Sequence, residues 1–189
     1  MEKMRLTRLE AARRQLDQAI RLFFQRSDPV SIHTLTTASL EILRTLAKRK
    51  GLKTWGQEWM SCVRPERRKE FWEKLREAQG FFKHADQGPL DLEIEFSPKT
   101  TEFLIYEAVE AYPKLAGTQF SAGAAFWVWF FIKYQALATD EVRARATHAT
   151  EGLDHNEFSD FIELIARIDH DPSIMQQAWA KQAPTEKTD

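Results

Sequence analysis

Lys83 and His84 close the run Glu77-Ala78-Gln79-Gly80-Phe81-Phe82-Lys83-His84-Ala85-Asp86, so a fixed cation and a titratable imidazole stand side by side. An imidazole exchanges protons near neutral pH, and a neighbouring Lys or Arg steadies developing anionic charge. Arg76, upstream in the same run of helical periodicity, could supply that charge as well as Lys83. These residue types suit proton transfer at a phosphate, or recognition of an anion without chemistry. The bland alternative is a solvated histidine at a helix end, helping to satisfy the last carbonyls.

Other groups have residue types suited to chemistry. His148, Glu151, Asp154, His155 and Glu157 gather metal-ligand types, but no two histidines have the i, i+4 spacing of a strong zinc signature. A polar turn with a capping Asp154 accounts for them, and no metal or cofactor is expected. His170, between Asp169 and Asp171, reads as a helix-start turn. Cys62 is the single cysteine, which excludes an internal disulfide, and it reads as a half-buried thiol. His33, early in a helix, is expected to make a local hydrogen bond. Arg67, Arg68 and Lys69 follow Arg64 near Trp55, Trp59 and Trp72, a combination able to hold nucleic acid by phosphate contact and stacking. Glu66 and Glu70 dilute that basic stretch.

The element carrying Lys83 and His84 is an amphipathic helix. Stepping about 100° per residue from His84, Phe71, Leu75, Ala78 and Phe82 fall about 120–180° away. Glu73, Glu77, Gly80 and Phe81 lie within about 60° of His84, and Arg76 about 80° from it. The bulky apolar side belongs to the core and the His84 side does not. Gly80 costs a helix about 1 kcal/mol relative to Ala, and its bare backbone could admit another backbone or a ligand.

The remaining elements follow from periodicity and punctuation. Residues 5–26 form an amphipathic helix through Leu9, Ala12, Leu16, Ala19, Ile20, Phe23 and Phe24. Ser27-Asp28-Pro29 breaks it and opens a second, striped by Ile32, Leu35, Ser39, Ile42 and Leu46 and widened by Leu40, Leu43 and Ala47. The small patch Thr36-Thr37-Ala38-Ser39 permits close helix contact, and Lys48-Arg49-Lys50-Gly51 closes the element. Residues 52–65 read as a short helix, and Pro65-Glu66 opens the helix ending at His84. Leu90 to Phe96 alternate apolar and acidic, an extended segment laid over helices or paired with its copy in another subunit. Ser97-Pro98 begins a helix to about Tyr112, with Glu107, Glu110 and Lys114 as its polar edge. Residues 120–139 form the most hydrophobic helix, apolar all round, which must be central or covered by a partner. Residues 140–150 read as polar helix, 153–168 as another amphipathic helix, and Asp171-Pro172 begins a last short one.

Composition bounds the rest. The chain has 189 residues, 43% hydrophobic, with 13 Phe and 6 Trp, enough for a sizeable core. Charged residues make up 29% and mean hydropathy is −0.49. The longest apolar run, Ala122 to Ile132, is too short to span a bilayer comfortably, and no apolar signal region follows Met1-Glu2-Lys3-Met4-Arg5. A bacterial-type cytoplasmic protein with no membrane partner fits these features. Net charge is −1, yet residues 1–83 hold 19 Lys+Arg against 10 Asp+Glu, while residues 84–189 hold 8 against 18. Such asymmetry marks either a basic surface for a polyanion or complementary faces that meet within the fold or across subunits.

Over roughly residues 10–135 the chain resembles the HEPN superfamily of helical bundles. Ser31-Ile32-His33-Thr34-Leu35-Thr36-Thr37-Ala38-Ser39-Leu40-Glu41-Ile42-Leu43 resembles the second helix of one bacterial branch. Gly80-Phe81-Phe82-Lys83-His84 resembles its Asn-x-x-Lys-His-type run, apart from the Asn, and Tyr106 and Tyr112 stand near the end of a later helix as its tyrosine does. The helical periodicity gives an all-α fold, and the resemblance implies a HEPN-like bundle over 1–140; the helices beyond it read as a C-terminal extension over 141–182 packed on the same domain, and the polar remainder as a flexible tail at 183–189. The resemblance implies a homodimer. Active HEPN nucleases carry Arg, four to six residues, then His, and need no metal. His84 matches the His; the permitted Arg positions hold Glu77, Ala78 and Gln79. The expectation is therefore a non-catalytic dimerisation and interaction module with a protein or RNA partner. The alternative is a metal-independent endoribonuclease of bacterial defence or a toxin–antitoxin system, with His84 as proton-transfer group and Arg76 or Lys83 on the phosphate.

Overall fold

The chain breaks its helices where local chemistry supplies caps. Thr7 and Glu10 form a reciprocal capping box, with Glu10 N–H donating to Thr7 Oγ1 (3.1 Å) and Thr7 N–H to Glu10 Oε2 (2.8 Å). This starts α1 (Arg8–Phe24). Asp28 accepts from the Ser31 N–H at 2.7 Å and Pro29 takes the first helical position of α2 (Pro29–Arg49). A 3₁₀ turn, Pro65–Arg67, leads into α3 (Arg68–Lys83). Pro98 opens α4 (Pro98–Ala116), which left-handed Gly117 (φ 76°) closes. These coordinates are a computed structural model, describing residues 3–54, 56, 65–84, 86, 88–89, 91–139 and 153–175. Of Arg68, Glu70, Phe71, Trp72, Lys74 and Leu75 only the backbone is described. Expectations for Trp55, Trp59, Cys62, Arg64, His148 and Glu151, for a helix at 140–150 and for the tail at 183–189 fall outside those residues.

The fold is all-α: among the described residues every regular element is helical. No helix of the described residues is long and apolar enough to cross a membrane. The chain divides into two units, Met1–Gln119 and Phe120–Asp189.

In the first unit α1 and α2 form an antiparallel hairpin. The small patch on α2 does what its size suggests: Thr36 and Ser39 are fully buried, and Ser39 Oγ donates to the Ala12 carbonyl of α1 at 2.8 Å. Ala12, Leu16, Ala19 and Ile20 of α1 are likewise fully buried. On α2 the deeper stripe is Leu40, Leu43 and Ala47, whereas Leu35, Ile42 and Leu46 are half-buried. The reason is that α2 has α1, α3 and α4 as neighbours, so its buried face is broad and turned toward Leu40. α4 runs in the same direction as α2, since its partners advance in step: His33 with Thr101, Arg44 with Glu107. α3 runs the opposite way, pairing Phe82 with His33 and Gln79 with Glu41.

Two expectations about α4 are corrected. The helix does not stop near Tyr112 but continues through Pro113 to Ala116. Proline lacks the N–H that would bond to the carbonyl four residues back. That carbonyl, Val109 O, instead accepts from Gln119 Nε2 at 3.1 Å, so the extra turn leaves no orphan there. Glu107 is not part of a polar edge either; it is 3% exposed, because Arg44 neutralises it inside the fold.

The acidic alternating segment behaves as a strap. Leu92 to Ser97 have no strand partner among the described residues. Glu93 and Glu95 are exposed while Ile94 and Phe96 turn half inward. Phe96 meets His33 and Phe82 edge-on, with centroids 5.1 and 5.2 Å away.

In the second unit α5 (Ser121–Lys133) is buried at every position from Ala122 to Phe131. A 3₁₀ turn, Gln135–Leu137, follows it. α6 (Phe158–His170) lies antiparallel to α5, burying Phe161, Ile165 and Ile168. Trp129 on α5 meets Phe158 edge-on at 6.1 Å and donates its indole N–H to the His155 carbonyl at 3.0 Å. At the other end Ser121 Oγ donates to the Asp169 carboxylate. Asp171, just past His170, accepts from the Ser173 N–H at 3.0 Å, the helix-start turn read from the sequence.

Candidate functional site

The site grows from the end of α3. Lys83 is its last residue, and the His84 N–H closes the final turn onto the Gly80 carbonyl at 2.9 Å. One row of α3 runs Arg76, Gln79, Gly80, Lys83, at i, i+3, i+4 and i+7. Across from it stand Thr37, Leu40, Glu41, Arg44 and Thr45 of α2, with Leu104 of α4 at the base. Together with His84 these residues line an open cleft of about 410 Å³.

Arg76, Lys83 and His84 are thus brought to one cleft. The wheel centred on His84 put Arg76 about 80° away, yet the cleft opens along the flank where the Arg76–Lys83 row lies. The relevant spacing was the heptad-like row and not the angle from the imidazole. Gly80 lines the cleft, and a Cβ placed there would meet nothing within 4 Å, so its bareness widens open space and no tight contact requires it. Arg67 and Lys69 stand exposed at the opposite end of α3, away from the cleft lining, and the Arg68 side chain is not described. Lys69 approaches Glu73 at 3.8 Å in an exposed pair.

Two carboxylates on neighbouring helices treat these cations differently. Glu107 of α4 grips Arg44 with both oxygens: Nε to Oε1 at 2.8 Å and Nη2 to Oε2 at 2.6 Å. The fork-to-fork geometry is the strong form of this contact, and burial of the acid raises the cost of breaking it. Gly56 packs against the same carboxylate so closely that even a methyl group there would overlap it. Glu41 is 68% exposed; its Oε2 stands 3.6 Å from Lys83 Nζ and 3.3 Å from Gln79 Nε2. Neither pairing was visible in the sequence. Arg44 and Glu107 are 63 residues apart; their only signal was a charge on the face of each helix next to its apolar stripe.

His33 is the second correction of role. It is 1% exposed, and its Nδ1 lies 2.9 Å from Thr101 Oγ1, a partner 68 residues away and not a local one. Phe82 and Phe96 enclose the ring edge-on, and Nε2 has no hydrogen-bond partner among the described residues. Burial, then the nearby charge of Lys83, push its pKa down to about 4. The imidazole is therefore neutral at physiological pH and belongs to the wall behind the site. Tyr106 and Tyr112 are both buried, which pushes their hydroxyl pKa values up, and neither lines the cleft.

In the second unit Asp154 accepts from the Asn156 N–H at 2.9 Å and lies 3.4 Å from His155. Glu157, not Asp154, holds the N-cap position of α6. Among the described residues no three His, Cys, Asp or Glu side chains come together as a metal site.

What the cleft offers is a row of basic side chains and one amide donor, Gln79, along one helix, facing a wall with one exposed carboxylate. That is anion-recognition chemistry. Among the described residues no hydrogen bond or ion pair holds the His84 imidazole, which stands exposed at the cleft's end. No family model matches this chain, and no curated protein and no solved structure matches it either.

Proposed function

We propose that this chain is a cytoplasmic, HEPN-like helical dimerisation and interaction module that holds RNA phosphate in the α2–α3 cleft without cleaving it. The observation that carries the reading is the convergence of Arg76, Gln79, Lys83 and His84 on that cleft. RNA phosphates are bound by such rows of cations, and the affinity falls steeply with salt. Self-association is part of the proposal: Phe81 is 38% exposed beside open Gly80, leaving one side of α3 available to a second copy.

One observation favours a second reading. Arg76 and His84 line the same cleft despite their spacing, and long side chains there could share a phosphate with a partner copy. In that case the chain is a metal-independent endoribonuclease. Incubation with bulk RNA in EDTA separates the two. We expect the RNA to remain intact while a filter-binding assay retains it, and His84→Ala to leave the RNA pattern unchanged. Cleavage that resists EDTA, survives repurification and falls about 100-fold or more in His84→Ala would replace the binding module with the nuclease.

A further inference from the structure

We propose that Glu41 is a built-in competitor for the anion cleft, a carboxylate that occupies the ligand's donors until a multiply charged strand displaces it. The inference rests on the reading of the cleft as a phosphate site and adds the residue that sets its threshold.

The geometry separates the two acids that face the cleft's cations. Glu107 is buried and bidentate on Arg44, so its pairing is part of the fold. Glu41 instead spreads a single oxygen over two donors of α3, Lys83 Nζ and Gln79 Nε2, at 3.6 and 3.3 Å. These separations are long for charge-assisted bonds, and the acid is mostly in water. Exposed pairs of this kind contribute little, so they yield to a better partner. Both donors also line the cleft, in the row that includes Arg76.

A phosphate oxygen is that better partner. It accepts from an ammonium and an amide as a carboxylate does, and a phosphodiester strand brings a second charge that Arg76 or His84 can meet. A single free anion gains only what Glu41 already supplies. The carboxylate, once displaced, stays on the wall of α2 and opposes the ligand's charge. Glu41 therefore discriminates against isolated anions and lowers affinity for all of them, which makes it a specificity-determining residue. The shared chemistry is the phosphate oxyanion, and the source inferred is the backbone of a single RNA strand.

The test is fluorescence anisotropy of the full-length chain with a short labelled single-stranded RNA at low salt. Glu41→Gln keeps the size and an amide contact while removing the charge. We expect it to bind the RNA about 3- to 10-fold more tightly than wild type. Lys83→Gln should bind more weakly than wild type, and adding Glu41→Gln to it should recover much less than in the parent, because the competitor acts through Lys83. Glu77→Gln, an equal change of charge on exposed α3 outside the cleft lining, should tighten binding clearly less than Glu41→Gln does, because it changes only the general field. Inorganic phosphate should displace RNA from Glu41→Gln better than from wild type, yet less well than unlabelled RNA does.

Equal or weaker binding by Glu41→Gln, or an identical gain with Lys83 absent or from Glu77→Gln, would overturn the competitor. Displacement by inorganic phosphate as effective as by RNA would overturn the assignment to a strand. If Arg76→Gln and Lys83→Gln weaken binding while Glu41→Gln does nothing, the competitor falls and the cleft reading stands. If Arg76→Gln and Lys83→Gln bind as wild type does, the cleft reading falls and takes the competitor with it.

Discussion

At the scale of single residues, the most consequential side chain outside the cleft is His33. A histidine with no exposure, one hydroxyl partner and a lysine charge nearby holds its neutral form in the folded state. Unfolded, the same imidazole titrates near 6.5. Between those two values the unfolded chain binds more protons than the folded one, so stability falls as pH falls from about 6.5 toward 4 and is fully present above that window. The loss attributable to His33 is on the order of 3 kcal/mol. Urea titrations across that range should show wild type weakening on acidification more steeply than His33→Asn, which keeps a polar side chain but does not titrate. Parallel pH profiles for the two proteins would refute this account. The sequence placed His33 correctly on a helix but not in its environment, because Thr101 and Phe96 enter from the other end of the unit. The same holds for Arg44 and Glu107: each was legible as a charge on a helix, and their pairing was not.

Elements were more legible than sites. Caps are local chemistry, so Asp28-Pro29 and Pro98 mark boundaries that the structure keeps. The exception is the C-terminal turn of α4, which runs on past Tyr112 through Pro113. Its toleration depends on a residue outside the helix, since Gln119 fills the carbonyl that the proline cannot. Gln119→Ala should strip that carbonyl of its partner in a buried setting and cost about 1–3 kcal/mol. Pro113→Ala restores the missing N–H, so it should recover most of the loss in the double variant. Chemical denaturation of the three proteins checks this, and equal destabilisation of Gln119→Ala with and without Pro113 would disprove the link. The cleft face of α3 was missed for a related reason: a helical wheel referenced to one histidine hides the i, i+7 row that a neighbouring helix selects.

For the whole molecule, the all-α class follows from periodicity, and the lone alternating segment resolves into a strap because Phe96 packs against His33 of α2 and Phe82 of α3. The proposed dimer belongs at this scale, where Phe81 and Gly80 leave α3 approachable. Light scattering at tens of micromolar, roughly the range in which modest interfaces associate, should give twice the chain mass. Phe81→Lys should return it to a single chain while leaving the circular dichroism unchanged. A monomeric wild type would remove self-association from the proposal.

The parallel course of α2 and α4 has a bearing on how the first unit assembles. The α1–α2 hairpin closes over a separation of 27 residues at Ser39 and Ala12, whereas Arg44–Glu107 and His33–Thr101 span 63 and 68. Longer loops lose more chain entropy on closure and form contacts later. The hairpin is therefore the natural early structure, and the α2–α4 contacts come after it. The cleft, which needs α2, α3 and α4 together, is then a property of the finished unit only: a nascent chain halted after α2 already owns Glu41 and Arg44 but has no place for a ligand.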